Sequence, residues 1–148
     1  MLKQSVKVAL QQPLNIKMKI EQHLMGLKDG IFRRGQESGI YHKNVFFGLS
    51  YLHGVLEGRR QYASLGWNVV YEFDRNDFDI SNEILNVYLK RDFDHKLEAL
   101  EVMKYIFAQV SWAGKISRSE DQRKLQAHID DLFNADITLA YETPKRMD

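Results

Sequence analysis

Histidines are the side chains in this sequence best suited to acid–base or metal chemistry. There are five of them: His23, His42, His53, His95 and His128. None of them forms the H-E-x-x-H motif of a zinc site. His53 lies on an apolar stretch, where a histidine is usually structural and hydrogen-bonded to a neighbour. A small helical hydrolase that uses His53 is the least favoured of our three hypotheses for this chain. It requires an acid within hydrogen-bond reach of that ring.

Neighbouring carboxylates are the second set of candidates for acid–base chemistry. The pairs are Asp92 with Asp94, Glu120 with Asp121, and Asp130 with Asp131. General acid–base catalysis needs two carboxyl groups set apart across a substrate, in different environments. Neighbours on solvated helix surfaces do not meet that condition. Favourable charge near helix N-termini explains Asp94, Glu120 and Asp121 more simply.

Phosphate chemistry has only one candidate, the cationic pair Arg59-Arg60. The sequence contains no G-x-x-x-x-G-K-[ST] loop, which argues against ATP hydrolysis by this chain. A guanidinium in the pair could contact a phosphate or a neighbouring module. The simpler interpretation, which we favour, is charge at a helix C-terminus with ion pairs to Glu57 or Glu72.

Trp67 and Trp112 could stack on nucleic-acid bases, but no basic, aromatic-studded groove surrounds either of them. We expect both to anchor a core or an interface instead. Residues 1–43 carry eight Lys/Arg against three Asp/Glu, yet the lysines, including Lys19, are scattered. That pattern favours a solvated face over a polyanion site. Since no basic groove is evident, we expect no nucleic-acid partner. No apolar run approaches about 18 residues, so we expect no membrane partner either.

The length and composition indicate one globular domain. A chain of 148 residues can bury roughly 68–70% of its unfolded surface, and its hydrophobic fraction of 44% supplies a core. We expect no secretory leader at the N-terminus. The absence of cysteine excludes disulfides and thiolate metal sites within these residues and is compatible with the cytosol.

Hydrophobic spacing predicts the elements that must position these side chains: five helices with little sheet. A short extended segment at residues 5–10 comes first. A first helix follows from Leu14 to about Gly30, with an apolar stripe formed by Ile16, Ile20, Leu24 and Leu27. A second covers Tyr41 to Gln61, with a stripe of Val45, Leu49, Leu52 and Leu56 that Phe46 and Phe47 widen. Its three glycines, Gly48, Gly54 and Gly58, suggest close approach by another backbone.

The second half of the chain predicts an aromatic loop and three further helices. The loop, Leu65 to Phe73, has room for one brief strand. Asp79 or Ser81 caps the third helix, which runs through Leu89 with Ile84, Leu85 and Tyr88 inward. Asp94 caps the fourth, whose stripe is Leu97, Leu100, Met103, Phe107 and Val110. Trp112-Ala113-Gly114 is the next turn, and a capping box at residues 117–120 starts the fifth helix, with Leu125, Ile129, Leu132 and Phe133 inward.

Blocks of sequence between residues 4 and 137 resemble the dynein heavy chain, in the same order. The first is Gln4-Ser5-Val6-Lys7-Val8 with Gln12-Pro13 and Ile16-Lys17. The second is Phe47-Gly48-Leu49, His53, Arg59-Arg60, Leu65-Gly66-Trp67-Asn68 and Tyr71-Glu72-Phe73. The third is Glu98-Ala99-Leu100, Tyr105, Gly114-Lys115-Ile116, Asp121, Arg123 and Phe133-Asn134. Two departures stand out: Gly58 replaces an acidic residue that is usual there, and Ala63-Ser64 replaces Gly-Pro.

The resemblance implies an all-α bundle of about five helices of the AAA+ lid type, with a short extended N-terminal segment and an aromatic loop. Residues 1–40 would be the end of the sixth AAA+ core and a connecting helix, and residues 41–148 the lid. The lid would be non-catalytic and without a cofactor, and would relay motion driven by ATP and Mg bound in other modules. The implied packing or interface residues are Arg59, Arg60, Trp67, Tyr71, Phe73 and Trp112.

The same resemblance implies partners and a location. The partners would be the other AAA+ modules of the same heavy chain and, through the parent motor, dynein intermediate and light intermediate chains and microtubules. The location would be the cytoplasm and cytoskeleton, in a cytoplasmic or axonemal complex. A free-standing helical adaptor whose Trp67 loop docks a partner is the alternative. A fragment of a ring should expose an orphaned apolar surface, whereas an adaptor should not.

Overall fold

A computed structural model describes residues 15–26, 39–89, 96–134 and 137. Within these residues the chain forms five α-helices and no strand, which confirms the all-α prediction. They are α1 (Ile16–Met25), α2 (Gly39–Arg59), α3 (Arg75–Leu89), α4 (Lys96–Ile106) and α5 (Ser119–Leu132). The predicted extended segment at residues 5–10 lies outside the described residues. No helix among those described has the length and apolar character to cross a membrane.

Helix α2 is the central element, and its predicted stripe lies in the core. The four stripe residues are fully buried: Val45, Leu49, Leu52 and Leu56. Phe46 is buried beside them, but Phe47 is more than half exposed, so its predicted place in the stripe is wrong. Helix α2 ends at Arg59 and continues as a 3₁₀-helix, Arg60–Leu65, into the aromatic loop.

The glycines of α2 make room for side chains, not for a backbone as predicted. A Cβ at Gly48 would meet the side chains of Ile137 and Phe133, and one at Gly54 would meet Ile16. A Cβ at Gly58 would meet none of the described residues within 4 Å, so that glycine serves no close approach among them. The apolar side chains of other segments are what fill the space along this helix.

Helix α1 forms where the stripe predicts it, but a different face is buried. Of the predicted stripe, Leu24 is exposed and Ile16 and Ile20 are half-buried. Lys19 and His23 are the buried residues of α1, so the prediction of a solvated Lys19 is wrong. The Glu57 carboxylate of α2 lies against this surface and compensates the charge of Lys19 where it is buried.

Helix α3 begins at Arg75, four residues before the predicted cap Asp79 and six before the alternative Ser81. The Asp74 carboxylate accepts the N–H groups of Asn76 and Asp77, and the Asp77 carboxylate accepts the N–H of Asp74. This reciprocal pair satisfies the free donors of the first turn, so the predicted caps Asp79 and Ser81 are wrong. The predicted inward residues are buried fully or in part: Leu85 completely, Ile84 and Tyr88 incompletely.

Helix α4 changes register where it meets the next segment. Leu100, Met103 and Phe107 are buried as the stripe predicts, whereas Val110 is 63% exposed. Residues Phe107–Ser111 form a π-helix, whose wider turn rotates the chain relative to α-helical spacing. The next large buried side chain is therefore Trp112, at the predicted turn into the short 3₁₀-helix Ala113–Lys115. The predicted cap Asp94 and the Leu97 side chain lie outside the described residues.

Helix α5 closes the bundle without the predicted capping box. The residue that precedes it, Arg118, makes no side-chain cap hydrogen bond. Glu120 and Asp121 lie in its first turn, where a negative charge interacts favourably with the helix dipole. Its predicted inward residues are buried, fully or in part: Leu125, Ile129, Leu132 and Phe133.

Candidate functional site

The C-terminal half of α2 lies between two clusters of polar contacts. We call one the aromatic joint, formed by Arg59, Trp67, Tyr71, Phe73 and Asp121. The other is the buried ion cluster, formed by Lys19, His23, His53 and Glu57. The first links α2 to the aromatic loop and α5, and the second links α2 to α1.

Arg59 fixes the start of the aromatic loop. Its Nε and Nη2 donate to the Gly66 carbonyl at 3.2 and 2.8 Å, and its guanidinium lies 5.3 Å from the centre of the Trp67 ring. Gly66 is required because a Cβ there would collide with the Arg59 carbonyl oxygen. Within the described residues Arg59 forms no ion pair with Glu57 or Glu72, the acids predicted to pair with the arginines, and Glu57 pairs with Lys19 and His53 instead.

Arg59 also determines the state of a histidine on α5. Its Nη1 lies 3.2 Å from Nε2 of His128. A guanidinium has only donors, so Nε2 of His128 accepts and the imidazole is neutral. Burial, together with the charge of Arg59, lowers the pKa of His128, in agreement with that geometry. The contact thus ties α2 to α5 through a charged donor and a neutral acceptor.

Trp67 fills the space beneath this arginine. Its side chain is buried, and its indole N–H donates to the Leu56 carbonyl at 3.1 Å. Tyr71 meets the indole edge-on at 5.7 Å, and Phe73 lies 5.8 Å away. All three aromatic residues of the loop are buried. Edge-on aromatic packing of this kind adds about 0.5–1.5 kcal/mol to the burial of area.

Asp121 is the polar centre of the aromatic joint, and it is fully buried. Its carboxylate accepts the N–H of Asn68, the hydroxyl of Tyr71 and the ammonium of Lys124, all at 3.0 Å. Burial raises the pKa of Asp121, but these donors outweigh it and hold that pKa below its usual range. The prediction of a solvated helix-surface carboxylate is therefore wrong for Asp121, which accepts hydrogen bonds from the aromatic loop and from Lys124 of its own helix.

Two of the six candidate packing residues lie outside the aromatic joint. Arg60 is exposed at the start of the 3₁₀-helix. Trp112 is fully buried beside the buried ion cluster. The centre of its ring lies 5.5 Å from that of Phe107 and 6.3 Å from that of His53.

The buried ion cluster holds α1 against α2. The Lys19 ammonium lies 2.8 Å from Oε2 of Glu57, and Nε2 of His53 lies 3.4 Å from Oε1 of the same carboxylate. The His23 ring is 5.2 Å from the His53 ring and stacks on Phe78 of α3 at 4.1 Å. One carboxylate of α2 therefore meets a cation from α1, and a histidine of α1 reaches α3.

Burial sets the charges in this cluster. It lowers the pKa of His23 to about 4, with the nearby charges of His53 and Arg75 acting in the same direction. Burial raises the pKa of Glu57, but hydrogen bonds from His53 and Lys19 outweigh it and bring that pKa to about 2. His23 is therefore neutral at pH 7, while Glu57 is charged and paired.

The cluster brings a histidine to a carboxylate, which is the condition set for a hydrolase. His53, however, is only 1% exposed, and Glu57 is committed to Lys19. A general base must reach the proton of a substrate. The arrangement supports a structural role for His53.

Sequence reasoning missed Lys19, His23, Glu57 and Asp121 as members of these clusters. A signal was present for three of them, since Lys19 with His23 and His53 with Glu57 share the i,i+4 spacing of one helix face. Nothing in the sequence pairs the two faces, because that pairing depends on how α1 crosses α2.

Comparison with known proteins gives one consistent result. A family model for the dynein heavy chain AAA lid domain matches residues 42–146. Dynein axonemal heavy chain 2 of Homo sapiens is 28% identical over 132 residues, which are 89% of this chain and 3% of that protein. Dynein-1-alpha heavy chain of the flagellar inner arm I1 complex, from Chlamydomonas reinhardtii, is 26% identical over 132 residues, 88% of this chain and 3% of that protein. The chain thus spans about 3% of the length of these relatives.

Proposed function

The chain belongs to the dynein heavy chain AAA lid family, and from that premise we propose that it is a lid segment of a dynein motor ring that relays conformational change. In this proposal residues 1–40 belong to the end of the sixth AAA+ core and its connecting helix, and residues 41–148 to the lid. Motion of the core reaches α1 first and passes to α2. The single observation that carries the proposal is the buried pair of Lys19 with Glu57.

A buried ion pair suits mechanical relay because it resists separation. Removing one partner leaves an uncompensated buried charge, which typically costs about 3–5 kcal/mol. The pair therefore makes sliding of α1 along α2 unfavourable. At the same end of α2, Arg59 holds the aromatic loop by hydrogen bonds to the Gly66 carbonyl, and Asp121 holds that loop against α5. Helices α1, α2 and α5 would then move as one block.

In this proposal the segment itself is non-catalytic and holds no cofactor. ATP and Mg act in other modules of the parent heavy chain. The lack of a phosphate loop in the sequence and the burial of His53 support that division of work.

The proposed partners are the other AAA+ modules of the same heavy chain. Microtubules and the intermediate and light intermediate chains would be reached only through the parent motor. Among cytoskeletal dyneins we propose an axonemal one. The named relatives support this, because they are an axonemal heavy chain and a heavy chain of a flagellar inner arm.

The exposed apolar residues favour a ring segment over a free-standing adaptor. Leu65 is 87% exposed, and Tyr62 and Val70 are also largely exposed. Apolar surface of this kind marks an interface. A ring segment needs such surface for its neighbours.

The test is the Glu57→Gln variant in the full-length heavy chain. We expect slower microtubule gliding with basal ATP hydrolysis retained, because α1 no longer moves rigidly with α2. The matched control is Glu101→Gln, which removes an exposed pair with Lys104. The double variant Lys19→Met/Glu57→Met keeps the packing without charge and should glide close to wild type. Unchanged gliding by the Glu57→Gln motor contradicts the proposal.

A further inference from the structure

The outward face of α3 carries an apolar stripe that the core covers only in part, since Ile84 and Tyr88 pack against the core while Ile80 and Val87 do not. Its residues line a shallow groove of about 440 Å³ together with two acids: Asp79, Ile80, Glu83, Ile84, Val87 and Tyr88. Ile80 and Val87 are more than half exposed, whereas Phe78 and Leu85 on the opposite face are buried. Helix α3 therefore has two apolar faces, one in the core and one on the surface.

The exposed stripe has one acidic edge. Asp79 and Glu83 are four residues apart and so lie on one side of the stripe, while Ile80 and Ile84 lie on the other. Asp79 forms an ion pair with Arg75, in which Oδ1 of Asp79 lies 3.0 Å from Nε of Arg75, and Glu83 is exposed. An amphipathic helix that carries Lys or Arg beside its apolar stripe complements such a surface in both respects.

The exposed stripe of α3 is too small to hold a separate protein by itself. From Ile80 to Tyr88 the helix rises only about 12 Å at 1.5 Å per residue. One such face is far smaller than the roughly 1,000 Å² that a stable interface between separate proteins needs. A partner on the same polypeptide overcomes this limit, because tethering gives effective concentrations of about millimolar. The relatives supply ample further chain, since these residues span 3% of their length.

We propose that the α3 face binds an amphipathic, basic-edged helix from another part of the same heavy chain. This inference rests on the proposed function, because it requires that the segment be part of a longer motor polypeptide. Val87 and Ile80 supply the apolar contact, and Glu83 supplies the charge that sets the orientation of the bound helix.

Site-specific photocross-linking in the full-length heavy chain tests this proposal. A benzophenone amino acid replaces Val87, and a second motor carries it at Val110, a valine of similar exposure on a different segment. We expect cross-links from position 87 to one helix of the same chain with Lys or Arg beside its apolar residues. Glu83→Lys should lower the yield of these cross-links at least fivefold. The control Glu21→Lys, at an exposed position of α1, should not.

Three outcomes overturn the proposal: cross-links from position 87 to a separate protein, cross-links to a second copy of the chain, or a yield no higher than from position 110. The gliding assay of Glu57→Gln separates this failure from failure of the proposed function. If the Glu57→Gln motor glides more slowly but position 87 gives no cross-links, only the binding of a helix at the α3 face is refuted. Unchanged gliding refutes the relay itself.

Discussion

Three charged side chains in the interior decide how the segments of this protein meet. Lys19 and Glu57 neutralise each other, and Asp121 is neutralised by donors from the aromatic loop and from Lys124. A buried charge tolerates only an arrangement that supplies its partner. At the residue scale, these contacts therefore specify one orientation of α1 and one path of the aromatic loop.

Ala63 is strained, and replacing it with glycine should stabilise the protein. Its φ of 46° and ψ of −128° lie in a region that glycine adopts far more easily. We expect Ala63→Gly to raise the free energy of unfolding by about 1 kcal/mol, since left-handed backbone costs a residue with a Cβ about 1–2 kcal/mol. Urea denaturation measures this.

The control for Ala63→Gly is the same substitution at Ala127, an exposed position within α5. There it should lower stability by about 0.5–1 kcal/mol, as glycine does inside a helix. If both substitutions lower stability equally, the strain at Ala63 does not exist. The departure from Gly-Pro noted in the sequence is thus tolerated at a conformational cost.

Trp67→Ala tests the packing of the aromatic joint. We expect a loss of about 3–5 kcal/mol, as for other buried large aromatic residues. The substitution removes the hydrogen bond to Leu56 and the ring beneath Arg59. Thermal unfolding with Tyr62→Ala, an exposed aromatic residue, as the control measures the effect. A loss no larger than that of Tyr62→Ala would place Trp67 outside the core.

At the scale of elements, the joint between α1 and α2 should behave as a coupled pair of charges. Glu57→Gln should lower the free energy of unfolding by about 3 kcal/mol because Lys19 stays buried without its partner. Lys19→Met/Glu57→Met should cost much less, since apolar groups of similar size often replace a buried pair without loss. A double-mutant cycle from urea denaturation gives the coupling. Additive losses from the two single changes would contradict a direct interaction.

The same joint should make the protein sensitive to acid. His23 has a pKa of about 4 in the folded state against 6.5 for an unperturbed histidine, so the unfolded chain binds the extra proton between these values. Its contribution, about 3 kcal/mol at 1.36 kcal/mol per unit, is complete above pH 6.5 and is lost as the pH falls to 4. Glu57 continues the loss between pH 4.5 and 2.

Urea denaturation between pH 7 and 4 measures this dependence. His23→Gln should lose most of the slope above pH 5, because it removes the group that takes up a proton on unfolding in that range. His128, whose pKa is also lowered, accounts for a smaller remaining slope in the same direction. Equal slopes in the wild type and His23→Gln would show that His23 does not carry the effect.

Element positions could be predicted from the sequence better than element faces. The stripe Val45, Leu49, Leu52 and Leu56 identified the buried face of α2 because apolar burial dominates there. The stripe of α1 did not, because Lys19 is buried against a carboxylate of another helix and His23 against the rings of His53 and Phe78. Spacing along one helix contains no information about a charge supplied by the next.

The aromatic joint shows the same limit. The types and order of Arg59, Trp67 and Tyr71 singled out this region from the sequence alone. Asp121, the residue that binds the aromatic loop to α5, is 53 positions beyond Asn68. Its place near the start of a predicted helix already accounted for a carboxylate there, so nothing in the sequence paired it with the loop. Val110 was misplaced because a π-helix cannot be anticipated from α-helical periodicity.

At the scale of the whole molecule, a continuous core coexists with exposed apolar residues on several segments. The core extends from Tyr41 to Phe133 and includes both Trp67 and Trp112. Leu65, Val70 and Val87 remain exposed outside it. The proposed ring segment needs such exposed apolar residues for contact with neighbouring modules.

Electron cryo-microscopy of the purified native motor tests the central claim most directly. The account predicts that residues 41–148 form a helical lid within the AAA+ ring, with Lys19 and Glu57 in contact and α1 connecting the lid to the preceding core. A map that places these helices outside the ring, or a native polypeptide that ends near Asp148 and assembles with no ring, would contradict it.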